Sequence, residues 1–322
     1  MNKCLITGGA GFIGYHLAKH LLEFGYDIDL VDNFQRGKED QYFQELINNN
    51  HITFIKADLS SSDIYENLDN DYQYIFHLAS IVGVKHVVDR PLDVIIDNID
   101  MIKNIIFWAK DLPGLNKFIF TSTSEVYAGT LTEFSIEFPT PESTPLTVSD
   151  MTNPRSSYMI SKIASEAIFH NSSLPFIIIR PHNIYGPRMG FSHVIPELIK
   201  KIMKSGTQFI EVLSPEHKRS FCFIEDAVNM ISELSFSDEA NFKTFNIGNQ
   251  SPEITIKDLA QKLIDISGYD LDIIPMDPTS GSPERRCPDM SFTQNYIDYK
   301  SRVDLDDGLL KTFEWYKNEY FL

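Results

Sequence analysis

KCLITGGAGFIGYHLAKHLLEFG, residues 3–25, decides the fold. A short apolar run, KCLIT, leads into a turn carrying Gly8, Gly11 and Gly14, and an amphipathic stretch follows that stops at Gly25. The period changes from that of a buried strand to that of a helix across the glycines, which predicts strand, tight turn and helix in that order. The same alternation continues outward. DIDLVDN, ITFIKADL, YIFHLAS, KFIFTSTS and FIIIRPHN read as five further strands, with helical segments between most of them. Strands alternating with helices specify a parallel, doubly wound α/β sheet, and ligands of such sheets sit beyond the carboxyl ends of the strands. Past residue 181 the alternation becomes irregular until TFNIGN, residues 244–249, which reads as one more strand returning to the sheet. The organisation expected is a first domain over 1–181 with a returning segment near 221–249, and a smaller α/β lobe from 182–220 and 250–322. Residues 128–155 are rich in Thr, Pro, Ser and Glu without periodicity and read as a loop over the strand ends.

Composition excludes several classes. The 322 residues carry 28 Lys+Arg against 45 Asp+Glu, a net charge of −17, which repels a phosphate backbone and argues against a nucleic-acid partner. FIIIRP at 176–181 is among the longest apolar stretches and falls far short of the roughly 20 residues a membrane helix needs, so no membrane association is expected. The chain enters its first strand directly and holds only Cys4, Cys222 and Cys287, far apart. An odd number of dispersed thiols suits a reducing compartment, so the expected location is the cytoplasm and the expected role of the cysteines is packing. No metal is expected.

The glycine turn suits a dinucleotide. Glycines let the backbone approach a pyrophosphate that the positive end of the next helix attracts. Asp32 ends the second strand, where its carboxylate accepts hydrogen bonds from ribose hydroxyls and would repel a 2′-phosphate, which favours NAD over NADP. Arg36 nearby could still reach a phosphate. Phe12 and Ile13 in the turn, Asn33 after Asp32, Asp58 and Leu59 after the third strand, and the HLAS segment with Leu78, Ala79 and Ser80 after the fourth complete the cofactor candidates.

Two stretches carry the chemistry. TSTSEVY, residues 121–127, ends an apolar strand in hydroxyls and one carboxylate, which suits a ligand better than a core. SSYMISK places Tyr158 and Lys162 four apart, on one helical face about 6 Å apart along the axis. An ammonium beside a phenol favours the phenolate and makes a usable base for oxidising an alcohol while NAD accepts the hydride.

TGGAGFIG, Asp32, TSTSEVY, Tyr158 with Lys162, and RPHNIYGPR at 180–188 together resemble the extended short-chain dehydrogenase/reductases that modify nucleotide sugars. The resemblance spans nearly the whole chain and implies a Rossmann domain holding NAD and a C-terminal lobe holding a nucleoside diphosphate sugar. By the same resemblance the catalytic hydroxyl falls on Thr123, the base on Tyr158 and the supporting lysine on Lys162, with oxidation of the sugar at C4. Dehydratases of the family typically read Thr-Asp-Glu where this chain reads Thr123-Ser124-Glu125, so the acid for water elimination is missing. Simple 4-epimerases usually carry a small or hydroxyl residue in place of Glu125. The sequence is most similar there to UDP-glucuronate decarboxylases, with Glu125 catalytic and Ser124, Asn183, Arg219 and Arg286 on the substrate; Arg285 is as well explained by a solvated surface, and His182 by packing. The alternatives are a 4-epimerase or C5 epimerase of UDP-sugars, then a 4,6-dehydratase, and, from a different class, a non-catalytic NAD-sensing protein. Relatives pair the Tyr158 helix with the one near 98–110 in a homodimer, which the resemblance extends to this chain.

Overall fold

The computed structural model describes residues 2–134, 136, 138–278 and 283–322. Its first half runs β1 (Lys3–Thr7), α1 (Phe12–Glu23), β2 (Asp27–Asp32), α2 (Gln41–Ile47), β3 (Ile52–Lys56), β4 (Tyr74–His77), α3 (Val84–Asp89), α4 (Pro91–Ala109), β5 (Lys117–Thr121), α5 (Ala128–Glu133), α6 (Ser156–His170) and β6 (Phe176–Pro181). There follow β7 (Ile184–Tyr185), α7 (Val194–Met203), β8 (Phe209–Leu213), β9 (Lys218–Ser220), β10 (Cys222–Phe223), α8 (Ile224–Phe236), β11 (Lys243–Ile247), β12 (Glu253–Thr255), α9 (Ile256–Ser267), β13 (Asp272–Met276), β14 (Arg285–Arg286), α10 (Ser291–Gln294) and α11 (Leu305–Tyr320).

Seven strands make one parallel sheet in the order β11-β6-β5-β4-β1-β2-β3. Every residue of β5 is buried, as a strand covered on both faces requires, and the apolar Phe176–Ile179 run of β6 is buried with it. Helices α1 and α8 line one face of the sheet, while α4 and α6 pack together over the other. The winding reverses between β1 and β4, and the loops leaving their carboxyl ends diverge there into a cleft. Thr7 Oγ1 and His77 Nδ1 lie 2.9 Å apart and tie these two strand ends together. Burial pushes the His77 imidazole down to about 3, so it is neutral. It is a prop beneath the cleft and not a wall of it, against the expectation that all of HLAS would line the ligand.

The returning strand is β11, paired with β6 from Lys243↔Ile177 to Ile247↔Pro181. The aperiodic 128–155 segment is not all loop. Thr123 caps a turn of 3₁₀ helix over Ser124–Tyr127, its hydroxyl accepting from Glu125 N, and α5 continues it to Glu133. Tyr127 anchors that turn by donating to Asn246 Oδ1 at 2.9 Å, a contact far along the chain that local composition cannot announce. Residues 135 and 137 of this segment, and 279–282 of the expected second lobe, lie outside the described residues. All three cysteines are buried thiols, as expected. Among the described residues no helix is long and apolar enough to cross a membrane.

Candidate active site

Apart from His77, every residue singled out above as a cofactor, catalytic or substrate candidate lines one cavity of about 810 Å³ at the carboxyl ends of the strands. One end is made of backbone. A Cβ on Gly14 would stand 2.3 Å from the Gly8 carbonyl oxygen, and one on Gly8, at φ +72°, 2.8 Å from Ala79 N, so neither position admits a side chain. Asp32 is buried at the edge of this cradle and accepts from Phe34 N at 2.7 Å and Ala10 N at 3.1 Å. Burial raises its pKa while those amides pull it back. Asp58 accepts from Ser60 and from Asn33 Nδ2, which joins the ends of β2 and β3.

The other end is made of side chains. Tyr158 and Lys162 project from α6 toward the end of β5. Lys162 Nζ donates to the Thr121 carbonyl at 2.8 Å and lies 5.7 Å from the centre of the Tyr158 ring. Burial pushes Lys162 down to about 7. Burial also pushes Tyr158 up to about 12, with the Glu125 charge adding to the rise; Arg36 and hydrogen bonding to Thr123 and Ser80 oppose it. This corrects the sequence expectation. Lys162 is not among the groups that lower the phenol, because burial acts against the charged form of both partners and sets their pKa values in opposite directions.

Glu125 faces the cavity with its side chain 41% exposed, and Arg286 grips it in a bidentate pair at 2.5 and 3.0 Å. Burial raises the carboxyl, but Arg286 first, then Arg155 and Arg219, outweigh it and hold the group below its usual range. Arg286, expected on the diphosphate, therefore sits on the catalytic candidate here. Its neighbour Arg219, paired with it across β9 and β14, donates to the carbonyls of Lys218, Pro283 and Glu284. Asn183, at φ +44°, donates to the Ser220 carbonyl, and Ser124 is buried beside the β5 end.

His182 and Arg285 serve the scaffold. His182 packs on Tyr127 and bonds Asn246 Oδ1 at 3.0 Å, and burial pushes it down to about 3. Arg285 is exposed, paired with Glu253 at 2.7 Å over the Phe138 ring. Arg155, His217 and Phe221 also line the cavity and were not singled out in the sequence, since none belongs to a motif.

Beneath the site lies a buried network. Arg180 donates to both oxygens of Glu166 at 2.9 and 2.6 Å and to Tyr127 OH at 2.7 Å, and Ser122 Oγ donates to Glu166 Oε1 at 2.5 Å. It fixes the β5 end, the Tyr127 turn and α6 relative to one another, which is to say the three elements bearing Thr123, Glu125 and Tyr158.

A backbone cradle for a dinucleotide, facing a tyrosine–lysine helix and a hydroxyl strand end, defines an alcohol-oxidising enzyme with a nicotinamide cofactor on a Rossmann fold. More particularly, the chain belongs to the NAD dependent epimerase/dehydratase family, whose profile matches residues 4–248. It is similar to the UDP-N-acetyl-alpha-D-glucosaminuronate decarboxylase of Bacillus cytotoxicus, 31% identical with 98% of each chain covered. Among solved structures it is similar to the UDP-glucuronic acid 4-epimerase of Bacillus cereus in complex with UDP-glucuronic acid and NAD, at 26% identity and TM-score 0.84 over 99% of this chain and 100% of that one. The UDP-N-acetylglucosamine 4-epimerase of Methanobrevibacter ruminantium M1, in complex with UDP-N-acetylmuramic acid, matches at 27% and 0.84 over 99% of both. The protein is an NAD-dependent nucleotide-sugar enzyme of the decarboxylase and epimerase type.

Proposed function

We propose that the protein oxidises a UDP-linked uronate at C4 and decarboxylates it, the substrate being UDP-glucuronate or its 2-acetamido counterpart. The observation that carries this reading is Glu125, held ionised by Arg286 in the cavity beside Thr123 and Tyr158. The glycine turn would hold the pyrophosphate and Asp32 the ribose. NAD, when bound, accepts the C4 hydride.

This chain's residues do the rest. Thr123 and Ser80 orient the Tyr158 hydroxyl, and Tyr158 as phenolate takes the C4 hydroxyl proton; Lys162 stabilises that anion once ligand reorders its hydrogen bonds. The ketone stands β to the C6 carboxylate. The C5–C6 bond then breaks, its electron pair moving to the C4 oxygen as carbon dioxide leaves, and the enolate returns to the ketone as C5 takes a proton from water that the ionised Glu125 orients. Ser124 occupies the position before Glu125 and Glu125 itself stays ionised, so neither offers a general acid for expelling a hydroxyl, which disfavours elimination. A C4 epimerisation with the carboxylate kept is the second reading, favoured by the likeness to a UDP-glucuronic acid 4-epimerase.

The division into an NAD lobe (1–181 with about 221–249) and a substrate lobe (182–220 and 250–322), and a cytoplasmic location, belong to the same proposal. So does a homodimer through α4, which leaves Leu92, Ile96 and Phe107 exposed while its other face packs on α6.

The test is incubation with NAD and UDP-glucuronate, then UDP-N-acetylglucosaminuronate, following carbon dioxide and the anomeric proton signals. Carbon dioxide with a pentose or 4-keto-pentose product is expected, and Glu125→Gln should cut the rate on the order of 10²-fold. A product that keeps its carboxylate and inverts C4 would replace the first reading with the second.

A further inference from the structure

Asn246 lies near the carboxyl end of β11, the edge strand of the large sheet, and is fully buried. Its Nδ2 donates to the carbonyls of Thr140 at 3.0 Å and Asp289 at 3.1 Å. Its Oδ1 accepts from Tyr127 OH at 2.9 Å and lies 3.0 Å from His182 Nε2. Carbonyls only accept, so the amide has one possible orientation, and His182 donates from Nε2. All four hydrogen-bonding places of one side chain are thereby used. The backbone of the same residue is held as well: its N–H donates to Glu142 Oε1 at 2.8 Å and its carbonyl accepts from Thr293 Oγ1 at 2.8 Å.

Three of the four side-chain partners belong to the segments that carry the Glu125–Arg286 pair. Tyr127 stands two residues past Glu125, in the same 3₁₀ turn. Asp289 stands three residues past Arg286. Thr140 is laced to that second segment, its N–H donating to the Cys287 carbonyl and its carbonyl accepting from Asp289 N–H, both at 2.8 Å. Arg286 needs such a hold, because β14 is a two-residue strand at the edge of its sheet, paired there with β9 alone. Of the arginines that act on Glu125, Arg286 acts most strongly, through the bidentate contact at 2.5 and 3.0 Å. Hydrogen bonds weaken steeply with distance and angle, so a bidentate fork opens on a small relative shift of its two carriers. A buried amide with one hand on each carrier controls that shift.

We infer that Asn246 is a positioning residue for the Glu125–Arg286 pair: by tying the turn after Glu125 to the segment after Arg286, it sets the separation at which the two groups meet. The inference deepens the decarboxylase reading and rests on it for its catalytic meaning.

The experiment follows the Glu125 carboxylate band by infrared difference spectroscopy against pH, in NAD-loaded protein without substrate, the band being assigned by its loss in Glu125→Gln. Asn246→Leu, close in volume, removes all four side-chain bonds. Tyr127→Phe removes one of them and serves also if the first variant does not fold. Asp226→Asn, which loosens remote contacts to Tyr299 and Ser301, controls for mere loss of stability. The parent's Glu125 is held below the usual carboxylate range. Asn246→Leu should move its titration upward, Tyr127→Phe by a smaller step in the same direction, and Asp226→Asn not at all. On the uronate that turns over, kcat should fall about tenfold in Asn246→Leu while NAD affinity stays within about twofold. Glu125 titrating as in the parent in the folded variants, or moving equally in Asp226→Asn, would overturn the inference. Full turnover by Glu125→Gln would overturn the decarboxylase reading, while the titration, taken without substrate, still decides for or against Asn246.

Discussion

The two ends of the cavity are built by different means. At the cofactor end the decisive contacts are backbone to backbone, with Gly14 over the Gly8 carbonyl and Gly8 against Ala79. Nearly all of them come from turns that directly follow a strand. At the sugar end the contacts are between long charged side chains far apart in sequence, Glu125 with Arg286 and Arg180 with Glu166, held in place by burial. A backbone site is specified locally and tolerates little variation. A side-chain site is assembled by the fold, and one exchange can redirect its chemistry, which accounts for a family that keeps one cofactor and runs several reactions.

The largest effect that would sharpen this contrast is at the support of the sugar end. Glu166→Gln leaves Arg180 buried without its counter-charge and should cost about 3–5 kcal/mol, lowering Tm by roughly 6–15 °C in calorimetry. An unchanged Tm would mean that the network is not what holds the sugar end. Next, Gly14→Ala should weaken NAD binding about tenfold or more while leaving the UDP affinity of the substrate end unaltered, both read by titration. Equal losses for the two ligands would break the proposed independence of the ends. The last effect, a change of slope with pH, concerns Lys162, which stands between them. Burial holds its folded pKa at about 7, below the ordinary lysine value of 10.5, so between those values the unfolded chain binds more protons than the folded one. The stability penalty is complete below pH 7 and fades as pH rises toward 10.5. Denaturant midpoints of the NAD-free protein should therefore show a shallower rise over pH 7–10 in Lys162→Met than in the parent; identical slopes would place the proton elsewhere.

Much of the fold was legible in the sequence because it is written in local pattern. The parallel strands are apolar runs and the turn glycines fall directly between strand and helix, so β1 to β6 and the returning β11 are found where the periodicity put them. What the sequence hid is long-range. The helix over Ala128–Glu133 extends a turn anchored by Asn246, a partner 119 residues away. His77 has the composition of a ligand wall and the position of a strut. The tyrosine–lysine spacing announced the pair correctly, but not the protonation, since burial acts on both groups and no linear motif reports burial. Arg155 lay in plain view one turn before Tyr158, and no spacing rule singles out an arginine there.

The segment after β2 that walls the adenosine side of the cleft is tied down by Arg188, which donates to both carboxylate oxygens of Asp40 at 3.0 Å and lies 4.0 Å from the Tyr15 ring centre. The C-terminal helix holds the same segment through Tyr42 with Glu319 and Lys38 with Tyr320. Peeling it back means stripping a nearly buried guanidinium of its partner, about 2–3 kcal/mol given that Asp40 is partly exposed. A dinucleotide held as proposed in this cleft would have to open that latch to leave, and would behave less as a diffusing reagent than as a fitted part.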